Sequence, residues 1–230
     1  MYHVTKIEPI TGGRGRARVY LDDAFAFVLY KAELRAYSIT EGTELSAEAY
    51  EEITQTLLSK RAKKRAMHLL EKRPYTEKAL RDKLANGDYP DACIDAAIEY
   101  VKSYGYINDL QYAMDHISYH LTDRPKRRLE IDLLKKGIDK TVIAEAFEAC
   151  YAEASPEAPK PGANAGLSQK GEDSVQTAAC TPRELERQMI GKELRKKHYD
   201  PETADYETRR KLLASLVRKG FDPELVREVL

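Results

Sequence analysis

Three stretches of this chain carry one pattern, and a repeat at such spacing restricts the fold more than any other feature of the sequence. The first reads Leu84-Ala85-Asn86-Gly87, then Tyr89, Cys93-Ile94 and Ile98. The second reads Leu134-Lys135-Lys136-Gly137-Ile138-Asp139, then Val142-Ile143 and Phe147. The third reads Val217-Arg218-Lys219-Gly220-Phe221-Asp222, then Leu225-Val226 and Leu230. Each holds a helix ended by glycine, one large apolar residue, a cap and a second amphipathic helix. The glycine suits a C′ position of positive φ, and Asp139 and Asp222 suit the next N-cap. Pro223 falls at the favoured first helical position. The first copy departs in having Asp88 inserted and Pro90 where the others have aspartate. Upstream, Arg73-Pro74 matches Arg124-Pro125 before the helix that ends at the glycine.

A leading helix precedes each pair. In the second copy it starts after Asn108-Asp109, with Leu110, Ala113, Met114, Ile117 and Leu121 on one face. In the third it starts at Thr181-Pro182-Arg183-Glu184, a capping box with proline at its first helical position. The repeating unit is thus three helices in roughly fifty residues, and such units stack to bury their apolar stripes. The expected fold is mainly α, with tandem three-helix repeats in an extended curved array.

The N-terminus has a different period. Ala17, Val19 and Leu21 alternate with Arg16, Arg18 and Tyr20. Past Asp22-Asp23, Phe25 and Phe27 alternate with Ala24, Ala26 and Val28. A two-residue period around an aspartate-rich turn predicts a small β-hairpin, joined by a strand near Val4–Ile7 and preceded by a Gly12-Gly13-Arg14-Gly15 loop. From Ser46, a plausible N-cap, the period becomes helical: Tyr50, Ile53, Leu57 and Leu58 open a stripe that Ala62, Ala66, Leu69 and Leu70 continue. One long helix or two abutting ones satisfy this pattern equally. Between Ala152 and Cys180 periodicity stops among prolines, glycines and small polar residues, which predicts a linker spanning about 30 Å on average. The expected division is therefore 1–45, a hairpin region; 46–107, a leading helix and first repeat; 108–151, a second repeat; 152–180, a flexible insertion; and 181–230, a third repeat.

Chemistry is conspicuous by motif only where it fails. The glycine-rich loop lacks the Lys-Ser/Thr ending of a phosphate-binding loop, and neither a nucleophile elbow nor a zinc-protease helix motif occurs. His116 and His120 lie one turn apart without an adjacent glutamate or third ligand, so solvated helix histidines are the better reading. Glu130 and Asp132 sit among basic residues, which favours surface ion pairs over a nuclease metal site. No catalytic, cofactor or metal residues are expected, and the chain reads as non-enzymatic. Cys93, Cys150 and Cys180 are odd in number and widely spaced, as reduced thiols in a reducing compartment would be. No signal-peptide pattern and no apolar run of membrane-spanning length are found, so the expected location is cytoplasmic.

Lys plus Arg total 38 and Asp plus Glu total 38, so only the placement of charge is informative. Between Lys60 and Arg73 lie seven basic residues and one acid, Glu71. At 100° per residue, Arg61, Arg65, His68 and Lys72 share a stripe beside the apolar face. The second copy carries Arg124, Lys126, Arg127 and Arg128, and the third Arg209, Arg210 and Lys211. Any one cluster reads as a solvated helix face. Recurrence at one point of each repeat would line one side of an array with positive charge. Arg61, Arg65, Lys72, Arg73 and these later clusters are accordingly the candidate contacts for phosphate or for an acidic protein surface. About five phosphates neutralised on a single strand would give a log–log salt slope near −3.5.

The segments Arg73-Pro74-Tyr75-Thr76-Glu77-Lys78-Ala79-Leu80-Arg81-Asp82-Lys83-Leu84, Tyr104-Gly105-Tyr106-Ile107-Asn108-Asp109 and Leu134-Lys135-Lys136-Gly137-Ile138, with Val19-Tyr20-Leu21-Asp22-Asp23 and Phe25-Ala26-Phe27, resemble in order and spacing the RecX family of RecA regulators. The resemblance covers nearly the whole chain except 152–180. It implies a non-enzymatic protein of tandem three-helix repeats that binds RecA–single-stranded DNA filaments and restrains their ATP hydrolysis, strand exchange and coprotease activity; a monomer without cofactor is the expected form. Its implied partners are the RecA nucleoprotein filament and single-stranded DNA itself. A general DNA-binding helical protein acting without RecA is the alternative expectation, and a metal-dependent nuclease the third.

Overall fold

A computed structural model describes residues 1–12, 15–153, 181–201 and 204–230. From residue 154 onward the expected insertion lies outside the described residues, as do Cys180 and the Gly13-Arg14 pair of the glycine-rich loop. The chain divides into two compact units, Met1–Asn108 and Asp109–Leu230.

In the first unit the expected hairpin forms one side of a larger sheet. Strands β1 (Tyr2–Pro9), β2 (Arg16–Leu21), β3 (Ala24–Tyr30) and β4 (Glu44–Leu45) pair antiparallel in the order β3-β2-β1-β4. Asp22 and Asp23 both hold positive φ, 49° and 65°, the geometry that lets a two-residue turn follow strand twist. Ala17, Val19 and Leu21 are buried, as their alternation predicts. Phe25 is not on the core face, however. Val19 pairs with Phe27 but Tyr20 pairs with Phe25, so one extra residue bulges from β3 and the alternation flips. Phe27 is fully buried, while Phe25 lies exposed edge-on to Tyr20.

Short helix α1 (Lys31–Ala36) leads from the sheet toward α2 (Ala47–Glu51), whose N-cap Ser46 accepts the Ala49 amide at 3.1 Å. The helix then continues through a π-helical stretch, Glu52–Leu58, into α3 (Ser59–Leu70). The Thr54 hydroxyl donates to the Tyr50 carbonyl at 2.8 Å, a back-bond that competes with the regular ladder. The Cys93 thiol in turn donates to the Thr54 carbonyl at 3.2 Å. Helices α4 (Glu77–Ala85) and α5 (Asp91–Ser103) complete the first repeat. One apolar core runs from Val4, Val19 and Phe27 of the sheet to Ile53, Leu58, Leu80 and Ile98 of the helices, which supplies the partner a small hairpin needs.

The second unit holds α6 (Asp109–His120), α7 (Lys126–Lys135) and α8 (Lys140–Glu153), then α9 (Pro182–Lys196), α10 (Tyr206–Lys219) and α11 (Pro223–Val229). Thr181 and Glu184 form the expected capping box, and Asp222 accepts the Glu224 amide at 2.9 Å. Ala113, Ile117, Leu129, Leu133 and Phe147 make one core; Ile190, Leu194, Leu216 and Leu225 make another.

Two expectations for the repeats need correction. Gly137 and Gly220 end their helices at positive φ, but in the first copy Asp88, at φ 60°, takes that place. Gly87 serves differently: a Cβ there would meet the Leu84 carbonyl and the Tyr89 ring at 3.0 Å. Counting back from Asp88, Gly137 and Gly220 makes Leu84, Leu133 and Leu216 equivalent, and all three are fully buried. Leu134, which an alignment of Gly87 on Gly137 pairs with Leu84, is instead 38% exposed.

Candidate functional site

The basic clusters divide once side chains are placed. Arg61 turns from the solvent flank of α3 toward the sheet. It pairs with Glu33, donates to the Val28 carbonyl at 3.3 Å and lies over the Tyr30 ring at 4.9 Å. Arg65 and Lys72 remain exposed, His68 sits 3.5 Å from Glu71, and exposed Arg73 covers the Tyr75 ring at 4.6 Å.

In the second repeat, Arg124 and Arg128 converge on Asp132 at 3.2 and 3.5 Å. Lys126 lies 4.0 Å from Glu130 and over the Phe147 ring, and Arg127 is exposed. The acids of this segment therefore hold cations. In the third repeat, Arg209 donates to the Pro201 carbonyl at 2.6 Å, Lys211 pairs with Glu207 at 2.8 Å, and Arg210 is exposed. These three open α10, away from the feature that follows.

That feature is a groove of about 640 Å³ between the second and third repeats. Arg124 and Arg128 line one side; Lys192, Lys196, Arg218 and Lys219 come from α9 and α10; Asp123 and Glu193 are its only carboxylates among the described lining residues. Six cations face two acids, a formal excess of four, around an apolar floor that includes Met189 and Phe221. Glu193 takes hydrogen bonds from Lys219 and Lys196, which hold its carboxyl below the usual range against the opposing effect of burial. Asp132 lies behind Arg124 and Arg128, with a side chain only 17% exposed, so both guanidiniums are aimed rather than mobile. Oriented guanidinium forks beside several ammonium groups suit a chain of phosphates.

Of the groove's cations, Arg124 and Arg128 are among the candidates named from sequence, and Lys192, Lys196, Arg218 and Lys219 are not. The last three lie in the closing turns of α9 and α10, where a cation is ordinarily explained by the helix dipole. Only the packing of the repeats shows that they share a surface.

The histidine pair is less solvated than expected. His116 and His120 stand edge to face with centroids 4.9 Å apart, and both are partly buried. Burial, with His120 beside it, lowers the His116 pKa, and its Nε2 is buried without a hydrogen-bond partner among the described residues. No group of three or more possible metal-binding side chains occurs among the described residues. No described helix is long and apolar enough to cross a membrane. Cys93 and Cys150 are buried free thiols, and burial pushes the Cys93 thiol up.

Comparison with known proteins bears on the whole arrangement. Residues 62–100 match the first three-helix domain of RecX, and residues 186–230 match the third. The regulatory protein RecX of Clostridium beijerinckii is 32% identical over 145 residues, covering 63% of this chain and 68% of its own length. That of Clostridioides difficile is 25% identical over 229 residues, 99% of this chain and 93% of its own. Among solved structures, a crystal structure of regulatory protein RecX superposes over 100% of this chain and 98% of its own, with a TM-score of 0.56 at 20% identity. RecX from Lactobacillus salivarius covers 75% of this chain and 94% of its own, with a TM-score of 0.52 at 19% identity. With its three-helix domains, its N-terminal sheet and these relatives, the chain belongs to the RecX family of regulatory proteins.

Proposed function

We propose that this protein is a non-enzymatic modulator of the RecA recombinase, which binds RecA–single-stranded DNA filaments and restrains their ATP hydrolysis, strand exchange and coprotease activity. The observation that carries the reading, beside family membership, is the groove lined by six cations and two carboxylates. A nucleoprotein filament presents both phosphates and acidic side chains. A surface that combines oriented arginines, ammonium groups and an apolar floor can engage either. Lys192 and Arg218 are exposed and, unlike the other four groove cations, join no ion pair among the described residues, so their charge is reversed at least cost to the fold.

The test is RecA ATP hydrolysis on single-stranded DNA as this protein is titrated into preformed filaments. A progressive fall at or below stoichiometric protein is expected. The double variant Lys192→Glu/Arg218→Glu should need about tenfold more protein for the same effect, with unchanged helicity, as loss of one charge-assisted contact implies. Unchanged hydrolysis with folded wild-type protein would overturn the reading. Tight binding to naked DNA at physiological salt, with no effect on RecA, would put direct nucleic-acid binding in first place.

A further inference from the structure

The first unit carries an exposed aromatic cluster that the groove does not use. Tyr100 lies near the end of α5, and Tyr104 and Tyr106 flank the turn that follows it. They are 37%, 61% and 52% exposed. Tyr100 and Tyr104 have ring centroids 5.0 Å apart, and Tyr104 and Tyr106 stack at 5.9 Å with their planes only 19° apart.

Backbone geometry holds this display in place. The Gly105 amide donates to the Lys102 carbonyl at 2.8 Å and the Tyr106 amide to the Val101 carbonyl at 3.0 Å, closing the helix end. Gly105 supplies the positive φ, 70°, that the closure needs. Val101 on one side and Ile107 on the other are buried, so the turn is anchored at both ends while its rings stay outside. Tyrosines placed for the core would not leave three neighbouring side chains this exposed.

Charge beside the rings narrows the occupant. The Lys63 ammonium lies over the Tyr100 ring, 5.3 Å from its centroid. Lys60, which is exposed, lies one turn before Lys63 on the same face of α3, so a second cation shares the face that meets the aromatic row. Flat rings in series next to ammonium groups match the two chemistries of an unpaired strand, π faces on the bases and negative charge on the backbone.

We propose that Tyr100, Tyr104 and Tyr106 form a stacking platform for the unpaired bases of a single-stranded nucleic acid, with Lys63 facing its phosphates. This site shares no residue with the groove and its test needs no RecA, so its failure and that of the RecA reading are told apart.

The experiment compares the full-length protein on a short fluorescein-labelled oligothymidylate and on an abasic strand of equal length, at one ionic strength. The abasic strand keeps every phosphate and lacks every base. Wild-type protein should bind the thymidylate at least about 5- to 30-fold more tightly, the effect of one or two bases stacking at the low end of the usual per-base strength. Tyr104→Ala/Tyr106→Ala should bind both strands alike, whereas Tyr104→Phe/Tyr106→Phe, which keeps the rings, should retain the discrimination. Both variants change exposed side chains, and circular dichroism checks that they fold. Equal wild-type affinity for the two strands would overturn the proposal. So would discrimination that survives in the alanine variant, including the case where that variant loses only its effect on a protein partner.

Discussion

Gly220 rests against Arg128: a Cβ on the glycine would lie 3.3 Å from both the backbone nitrogen and the Cβ of the arginine. The same glycine ends α10 at φ 99°, a conformation L side chains rarely adopt. One residue thus closes a helix of the third repeat and sets how near α7 of the second can come. Arg128 is also a wall of the basic groove, so this contact fixes the groove's width. Gly220→Ala should cost about 1–2 kcal/mol from the left-handed backbone alone. The close approach adds to this, because a backbone nitrogen cannot swing aside. Urea unfolding would measure the loss, and a variant as stable as wild type would refute the contact.

The repeat register makes a sharper test. Leu133 is fully buried and Leu134 is 38% exposed, though they adjoin in sequence. Leu133→Ala should cost about 2–5 kcal/mol, as for a leucine removed from a close-packed core. Leu134→Ala should cost less than about 1 kcal/mol. Comparable losses from the two would mean that the equivalence of Leu84, Leu133 and Leu216 is mistaken.

Why several helix starts were legible while Leu134 was misplaced follows from the range of the signals. Thr181 with Glu184, and Asp222 with Pro223, act within one helical turn, so sequence alone locates those helix starts. The burial of Ala113 and Ile117 follows from helical period in the same way. Gly87 misled because an inserted residue moved the left-handed position to Asp88, a choice made by the backbone rather than by composition. Phe25 left the core face for a like reason, since a bulge shows only when two strands are paired. The groove was the least legible element. Lys192 and Lys196 on α9, and Arg218 and Lys219 on α10, meet Arg124 and Arg128 only through packing, and no local pattern encodes that.

Arg61 illustrates the same difficulty within one basic run. Its side chain is 23% exposed and that of Glu33 is 21% exposed, and it makes an ion pair, a hydrogen bond and a ring contact at once. Arg61→Ala should therefore cost about 1–3 kcal/mol, the scale of a lost hydrogen bond to a charged group. Lys72→Ala, at an exposed position of the same run, should stay within about 0.5 kcal/mol. Thermal denaturation of both variants checks this. If Arg61→Ala is as harmless as Lys72→Ala, the arginine is available for an external partner after all.

A carboxylate beside the same repeat contact makes stability depend on pH in an unusual direction. Glu186 on α9 is raised above its ordinary value chiefly by burial. The Asp222 amide donates to it at 2.8 Å and the Lys126 ammonium faces it, both opposing the rise, while the Asp222 carboxylate adds to it. Tyr151 shares this surface, pushed up to about 12 by burial first and by Glu186 second. Since folding raises the Glu186 pKa, the folded state holds the proton more tightly than the unfolded state. Stability must then fall as pH rises from the ordinary value of 4.5 through the raised one, and the penalty is complete above it. Glu193, Glu77, Glu184 and Asp205 have lowered values and contribute the opposite dependence, stability lost on acidification. Comparing one variant with wild type cancels those terms. Glu186→Gln keeps an oxygen that can accept the Asp222 amide but has no charge to desolvate. It should be more stable than wild type at neutral pH, with the advantage shrinking to nothing below the ordinary carboxylate pKa. Urea titrations of both proteins across that range decide the matter: a constant difference, or a variant weaker at neutral pH, would show that the buried charge is not what opposes docking of the third repeat.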